Sequence, residues 1–188
     1  RDCNTSTCGA GLLNAFGAVQ AAASRSGYSI QPESGWWWNP NESGRGFAIE
    51  MHNGQLFFAS FLYSDNGQAT WTTSQGKMSS DTSYSGALYS FSGGQTLLGN
   101  YKPPTQGASP GSLSIKFSDA RHGTLSWPGG TVAIERFSIA AGTLGQAQTN
   151  FTPERGWWWN PSESGRGFAI EVQGNTLFIS GFMYGDDG

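Results

Sequence analysis

The chain aligns to itself. Residues 35–67 read GWWWNPNESGRGFAIEMHNGQLFFASFLYSDNG, and residues 156–188 read GWWWNPSESGRGFAIEVQGNTLFISGFMYGDDG. The offset is 121 positions without a gap, and roughly two thirds of the positions agree. Self-similarity of this kind defines the unit that folds, here from about Gly35 to about Arg155. The second copy stops at the match to Gly67, short of the match to Trp71. Three strands at most cannot bury two aromatic faces, so this piece needs cover. It either adds strands to a neighbouring molecule in a swapped or back-to-back dimer, or sits against the first repeat or an N-terminal helix.

Within the unit the strand signals are short and closely spaced. Residues 46–52 alternate, with Phe47, Ile49 and Met51 on one face and Ala48 and Glu50 on the other. Asn53-Gly54 has hairpin-turn chemistry because both residues tolerate positive φ. Residues 56–63 are apolar on both faces, which marks a central strand. Further strands are expected at 69–74, 84–91, 112–118, 125–127 and 132–139. Charged residues are only 12% of the chain, Gly occupies 28 positions and aromatics make up 14%. That composition suits tight turns around an aromatic core and argues against disorder. The expected fold is mainly β: an antiparallel meander or small up-and-down β-barrel of about seven or eight strands, with one N-terminal helix and a partial second repeat.

That helix is expected over residues 8–23, CGAGLLNAFGAVQAAA, where Leu12, Leu13, Phe16, Val19 and Ala23 recur near helical spacing. It is too short and too apolar to stand alone in water. Cys3 and Cys8 precede it in a C-x4-C spacing. Two cysteines with no histidine nearby do not make a zinc site, so a disulfide closing a tight loop is preferred over a pair of small buried thiols. A disulfide implies an oxidising compartment. The expected segments are 1–24 (disulfide loop and helix), 25–34 (linker), 35–139 (first repeat), 140–155 (linker) and 156–188 (truncated second repeat).

The formal charge is −3 and the basic residues are scattered. A nucleic-acid partner is therefore not expected, since phosphate binding needs a basic face. No apolar run approaches the roughly 20 residues of a membrane-spanning helix. The chain opens at Arg1 in mid-motif, so the lack of a signal peptide indicates only that this is not the start of a gene product.

The opening RDCNTSTCGAGLLNAFGAVQAAA resembles the C-terminal end of the catalytic domain in secreted bacterial subtilisin-like serine proteases. The resemblance rests on Cys3, Cys8, Gly9, Ala10, Gly11, Leu12, Leu13, Asn14, Ala15, Ala18 and Val19 and covers about 23 residues. It implies an upstream protease catalytic domain as partner of the helix. That domain would carry the catalytic Asp, His and Ser, so no catalytic residue is assigned to this chain. The repeat is similar to a Trp-rich WWNP-x-ESG-x-G module found in tandem near the C-termini of secreted proteins of Gram-negative bacteria. The resemblance implies a secreted, extracellular accessory region with no cofactor.

The candidate binding residues are Trp36, Trp37, Trp38, Glu42 and Arg45, with Trp157, Trp158, Trp159, Glu163 and Arg166 as their counterparts. Successive strand residues alternate faces, so three Trp cannot all point inward. An outward indole either stacks on a sugar ring or protein surface or packs locally as a lid. Asn39 to Gly46 is a turn sequence, in which Glu42 and Arg45 form an ion pair or line a pocket. Glu50 and Glu171 each lie opposite an apolar face and need a partner if buried; Arg45, Arg136 or Trp indole N–H groups are the candidates. As equivalent positions in different copies they do not suggest a glycosidase pair. His52 and His122 read as surface residues, Asp65-Asn66 reads as a turn, and no metal site is assigned. No nucleophile-elbow, zinc-protease, P-loop or dinucleotide motif occurs. The expected role is a non-catalytic accessory region that binds a polysaccharide or protein surface. The alternative is a structural module for export, maturation or oligomerisation, including homo-oligomerisation through 156–188.

Overall fold

The computed structural model describes residues 31–145 and 153–185. Every regular element there is a strand: β1 (Gly35–Trp38), β2 (Gly46–His52), β3 (Gln55–Tyr63), β4 (Ala69–Lys77), β5 (Ser83–Ala87), β6 (Tyr89–Ser92), β7 (Thr105–Gln106), β8 (Ser112–Phe117), β9 (His122–Trp127), β10 (Gly130–Arg136), β11 (Gly156–Trp158), β12 (Gly167–Gln173) and β13 (Thr176–Phe182). The first ten form one antiparallel sheet in the order β5-β8-β9-β10-β1-β2-β3-β4-β6-β7, and the last three form a second sheet in the order β11-β12-β13. Among the described residues no helix is long and apolar enough to cross a membrane. The expected helix at 8–23 and the Cys3–Cys8 pair lie outside the described residues.

Two runs of hairpins, β1–β4 and β8–β10, meet where β1 pairs with β10, through Trp37 opposite Arg136 and Trp38 opposite Glu135. The β2–β3 turn is made by Asn53 and Gly54 at φ 49° and 74°, the left-handed pair that matches the twist of a two-residue hairpin. The large sheet curls into a half-barrel around Trp37, Phe47, Ile49, Leu56, Phe58, Leu113, Ile115, Phe117, Leu125 and Ile134. Alternation places them there: β8 buries Leu113, Ile115 and Phe117 and exposes the residues between. Trp37, fully buried, meets Phe117 edge-on at 5.4 Å. Its indole N–H donates to the Glu33 carbonyl at 3.1 Å, which meets the need of a buried indole for a partner.

The first sheet has ten strands rather than seven or eight: β1 and the short β7 are added, and one expected strand divides in two. The expected single strand at 84–91 is broken at Leu88. The Leu88 side chain is buried, its N–H donates to the Gly111 carbonyl at 2.9 Å, and its carbonyl accepts from Ser109 Oγ at 2.8 Å. The run divides into β5, which pairs with β8, and β6, which pairs with β4. One stretch of chain thus borders both ends of the curled sheet. Ser74 Oγ on β4 reinforces the closure, bonding the Tyr84 hydroxyl at 2.8 Å and the Ala87 carbonyl at 2.7 Å. The two-residue strand β7 pairs with β6 and is too short to leave a periodic signal.

The second sheet lies against the outer wall of the first, the arrangement in which the partial copy finds cover within its own chain. Its contacts are reciprocal. Trp36 packs on Phe178 at 5.4 Å and its counterpart Trp157 packs on Phe57 at 5.1 Å. Trp36 also packs on Phe61 at 4.7 Å, as Trp157 does on Phe182 at 4.1 Å. The counterparts Phe61 and Phe182 meet each other at 3.8 Å. Ala48, Ala59 and Ala169 are buried in the same cluster; their small side chains let the two sheets approach. The two copies are therefore related by an approximate twofold, with one patch used twice, as in an isologous interface. This is why β3 is apolar on both faces: Leu56 and Phe58 point into the half-barrel while Phe57, Ala59 and Phe61 meet the second copy.

Carboxylates exchanged between the copies complete the interface. Glu171 Oε2 accepts from the Trp36 backbone N–H at 2.8 Å, and Glu50 Oε2 accepts from the Trp157 backbone N–H at 2.8 Å. Glu171 is buried and its other oxygen accepts from Arg136 Nη2 at 2.6 Å and from Gln173 Nε2 at 3.0 Å. Arg136, also buried, donates through Nη1 to the Trp36 carbonyl at 2.5 Å, and its Nε lies 3.5 Å from Glu33 Oε2. Gly35, at φ 134°, leaves room for this clamp, because a methyl group there would overlap the Glu171 carboxylate and the Arg136 guanidinium. Removing one member of a buried ion pair leaves the other uncompensated and costs about 3–5 kcal/mol. Glu171→Gln is therefore expected to lower the unfolding free energy by about 3 kcal/mol or more in urea titration, and Glu50→Gln, which strands no cation, by about 1 kcal/mol. Equal losses from the two variants would contradict the clamp. Gly35→Ala should be at least as damaging as Glu171→Gln.

Candidate functional site

The repeated WWWNP-x-ESGRG motif is first a local structure. Asn39 Oδ1 accepts from the Asn41 N–H at 3.0 Å and the Asn39 carbonyl from the Glu42 N–H at 3.0 Å. Asn160 repeats this with Ser162 at 3.0 Å and Glu163 at 2.9 Å. Asn followed by Pro thereby sets the turn through its side chain as well as its backbone. Glu42 pairs with Arg45, and Glu163 with Arg166 at 2.5 Å. The Trp36 indole lies over Gly46, where a Cβ would come within 2.5 Å of the ring, and Trp157 lies likewise over Gly167, at 2.7 Å. The Gly after Arg is thus required by the approach of the first Trp of each triplet.

The structure disperses the ten candidate residues. Trp37 is core and Trp36 is interface. Trp38 packs edge-on to Phe137 at 5.0 Å, and the Arg45 guanidinium lies 5.5 Å from the centroid of Trp127. In the second copy Trp157 is interface. Trp158 keeps the local hydrogen bond of Trp37, donating to the Glu154 carbonyl at 2.9 Å, but is half-exposed. Trp159 is 55% exposed. Trp157, Trp159 and Arg166 converge on one place, a cleft of about 580 Å³ between the copies, within the size range of small-molecule sites. Glu163 sits beside it, bound to Arg166.

The first copy contributes Trp71, Thr73 and Gln75 of β4, Tyr89 and Phe91 of β6, Gln106 of β7 and Phe57 of β3 to that cleft. Trp71 stacks on Phe91 at 5.3 Å with the planes 21° apart, and the Phe182 ring meets Trp71 edge-on at 5.6 Å. Ser164 and Pro104 border the opening. The 93–104 segment grips the second copy from this side. The Tyr101 hydroxyl lies 3.2 Å from Ser164 Oγ, and the Gln95 side-chain oxygen, in the amide orientation its surroundings require, accepts from Arg166 Nε at 2.5 Å. The cleft is an aromatic surface rimmed by amides, hydroxyls and one guanidinium. Trp71, Tyr89, Phe91, Gln75 and Gln106 escape a reading of the sequence, because only the docking of the second copy makes the outer wall of β4 and β6 concave. Their one visible signal is the row of aromatics on a single face, Tyr89 and Phe91.

The remaining titratable candidates stand apart from the cleft. His122 Nδ1 lies 2.9 Å from Asp119 Oδ2 in an exposed turn. There the Arg121 backbone N–H, and then the His122 side chain, hold the Asp119 carboxyl below its usual value. Asn66 Oδ1 accepts from the Gln68 N–H at 3.2 Å in the turn after β3. Among the described residues no group of three His, Cys, Asp or Glu side chains gathers as a metal site would.

Tyr184 seals the far side of the contact. It is buried against Gly94 and Trp71, its ring 5.7 Å from the indole, and burial pushes its hydroxyl up from 10.0 to about 12. Because the folded-state value lies above the unfolded one, ionisation favours the unfolded chain. The stability present below pH 10 is lost as the pH rises toward 12. Tyr184→Phe should move the alkaline unfolding midpoint upward. Part of the loss should persist, because burial also raises Tyr84. An unchanged midpoint would place the alkaline transition elsewhere.

No protein-family model, curated protein or solved structure matches the chain.

Proposed function

We propose that this chain is a non-catalytic binding region whose ligand, a segment of a polysaccharide, lies in the cleft between the two copies. The observation that supports this is the set of rings Trp71, Tyr89, Phe91, Trp157 and Trp159 around one opening, with Thr73, Gln75, Gln106 and Arg166 between them. Flat apolar faces for ring stacking beside neutral donors and acceptors suit a hydroxyl-rich ligand with apolar ring faces. The resemblance of residues 1–23 to the end of a subtilisin-like catalytic domain extends the proposal. The region would be an extracellular accessory part of a secreted serine protease, holding the enzyme on the surface it attacks, and the chain itself would not hydrolyse peptide bonds.

A structural role is the second reading, and the reciprocal interface favours it: Trp36 and Trp157, the first residues of the two triplets, serve repeat-to-repeat packing. On that reading the motif exists to dock copies and the cleft has no external ligand.

Binding to a panel of soluble and insoluble polysaccharides, by calorimetry and co-sedimentation, separates the two. Trp159→Ala should weaken binding by about tenfold, in keeping with about 1–1.5 kcal/mol for one stacked aromatic. Trp158→Ala, exposed but outside the cleft, should leave it unchanged. Equal loss in both variants, or no binding by the parent chain, would support the structural reading. Casein turnover that is lost on mutating a residue within these 188 positions would contradict the non-catalytic assignment.

A further inference from the structure

Charge is scarce around the cleft between the copies, and the cation there is already engaged by the chain itself. Among the described residues Arg166 is the only charged side chain that lines it. Its Nη2 donates to Glu163 Oε2 at 2.5 Å. On the other side the Gln95 side-chain oxygen accepts from Nε at 2.5 Å and from Nη1 and Nη2 at 3.1 Å each. Every nitrogen of the guanidinium therefore faces an acceptor. Gln95 is fixed in turn: it is buried, and its backbone carbonyl accepts from the Tyr184 N–H at 3.2 Å.

The side chains of Arg166 and Glu163 are 25% and 32% exposed, so the pair reaches the opening with no net charge. Lys77 and Lys102 are exposed on flanking segments and do not line the cleft. The polar side chains offered from the first copy are those of Thr73, Gln75 and Gln106, all neutral. A ligand hydroxyl exchanges water for such a partner at little net cost. A carboxylate or sulfate leaving water needs an uncompensated cation. Arg166 supplies one only by giving up Glu163, whose carboxylate then repels the incoming anion at close range. The glutamate that holds the arginine thus also turns acidic ligands away, a repulsive element of the kind that specificity uses.

We propose that the cleft selects an uncharged polysaccharide, and that Glu163 sets this selectivity by neutralising Arg166. The inference rests on the reading of the cleft as a polysaccharide site and adds the charge class of the polymer. In the first copy Glu42 pairs with Arg45 in the same way, but there the guanidinium lies over Trp127. The motif's ion pair is a local device in both copies and faces a ligand only where it borders β4 and β6.

The test titrates hydroxyethylcellulose, glycol chitin and dextran into the full chain by calorimetry, each beside its carboxymethylated form. Sodium chloride is varied from about 0.01 M to about 1 M, which takes the screening length from about 30 Å to about 3 Å. At least one neutral polymer should bind, with an affinity that changes by less than about twofold over that range, because no ion pair forms. Its carboxymethylated form should bind about tenfold more weakly, or worse, at low salt. The gap should narrow at high salt, since screening relieves a charge repulsion and not a steric one. Glu163→Gln should cut the neutral-to-acidic affinity ratio at low salt by about fivefold or more, through tighter binding of the acidic polymer. The comparison on the unaltered chain decides the charge class whether or not this variant folds. An acidic form that binds as well as its neutral parent, or neutral binding that is lost at high salt, overturns the inference and leaves the polysaccharide reading standing. An unchanged ratio in folded Glu163→Gln overturns the role of Glu163. If no polymer of either charge binds, the inference and the polysaccharide reading fail together.

Discussion

The buried pair of Glu171 and Arg136 is the point on which the two copies depend. A carboxylate and a guanidinium, both out of water, gain stability only when their remaining donors and acceptors are satisfied. Here each is bound to the backbone of the same residue: Glu171 takes the N–H of Trp36 and Arg136 gives to its carbonyl. The pair therefore fixes β1 from both sides and ties it to the second copy. Gln173 extends the network, donating to the Phe137 carbonyl at 2.7 Å and accepting from the Ile139 N–H at 3.1 Å. Its counterpart in the first copy is the exposed His52, so the two ends of the interface are chemically different. The twofold is one of backbone and aromatics, and charge breaks it.

Aromatic packing supplies the area and the ionic network supplies the register. Sheets can slide over one another where ring packs on ring, because dispersion is not directional. Two carboxylates that each require one particular N–H in the opposite copy allow only one alignment. The cleft follows from that alignment. It lies where the loop of the second Trp triplet comes down beside β4 and β6, and it is held open by contacts of residues 95 and 101 with Arg166 and Ser164. On the proposed function, variants that loosen the clamp would also impair ligand binding from a distance.

The same alignment explains why identical triplets behave differently. Trp37 and Trp158 keep the same hydrogen bond to a carbonyl four residues earlier, so the local fold of the motif does not depend on a core. One ring lies in a packed half-barrel and the other in solvent. What separates them is the β8–β10 hairpins, which close over Trp37 and, among the described residues, have no counterpart beside Trp158.

Much of the architecture is legible along the chain. Period-2 alternation in 46–52 and 112–118, the Asn53-Gly54 turn, and the two apolar faces of 56–63 each follow from local chemistry, because side-chain direction in a strand is set by position alone. So does the turn of Asn39 to Gly46, whose partners lie within a few residues. The break at Leu88 is not legible, since it arises from bonds to Ser109 and Gly111 across the sheet. Nor is the pairing of Arg136 with Glu171 rather than with Glu50: both glutamates occupy equivalent positions in near-identical strings, and among the described residues only β1, whose Trp36 N–H Glu171 takes, has β10 along its other edge. The sequence by itself determined a β unit, its turns and the repetition of its first segment. Tertiary structure alone decided which carboxylate is neutralised, which indole is buried and where a cleft opens, because these depend on distances between segments more than a hundred residues apart that no local pattern encodes.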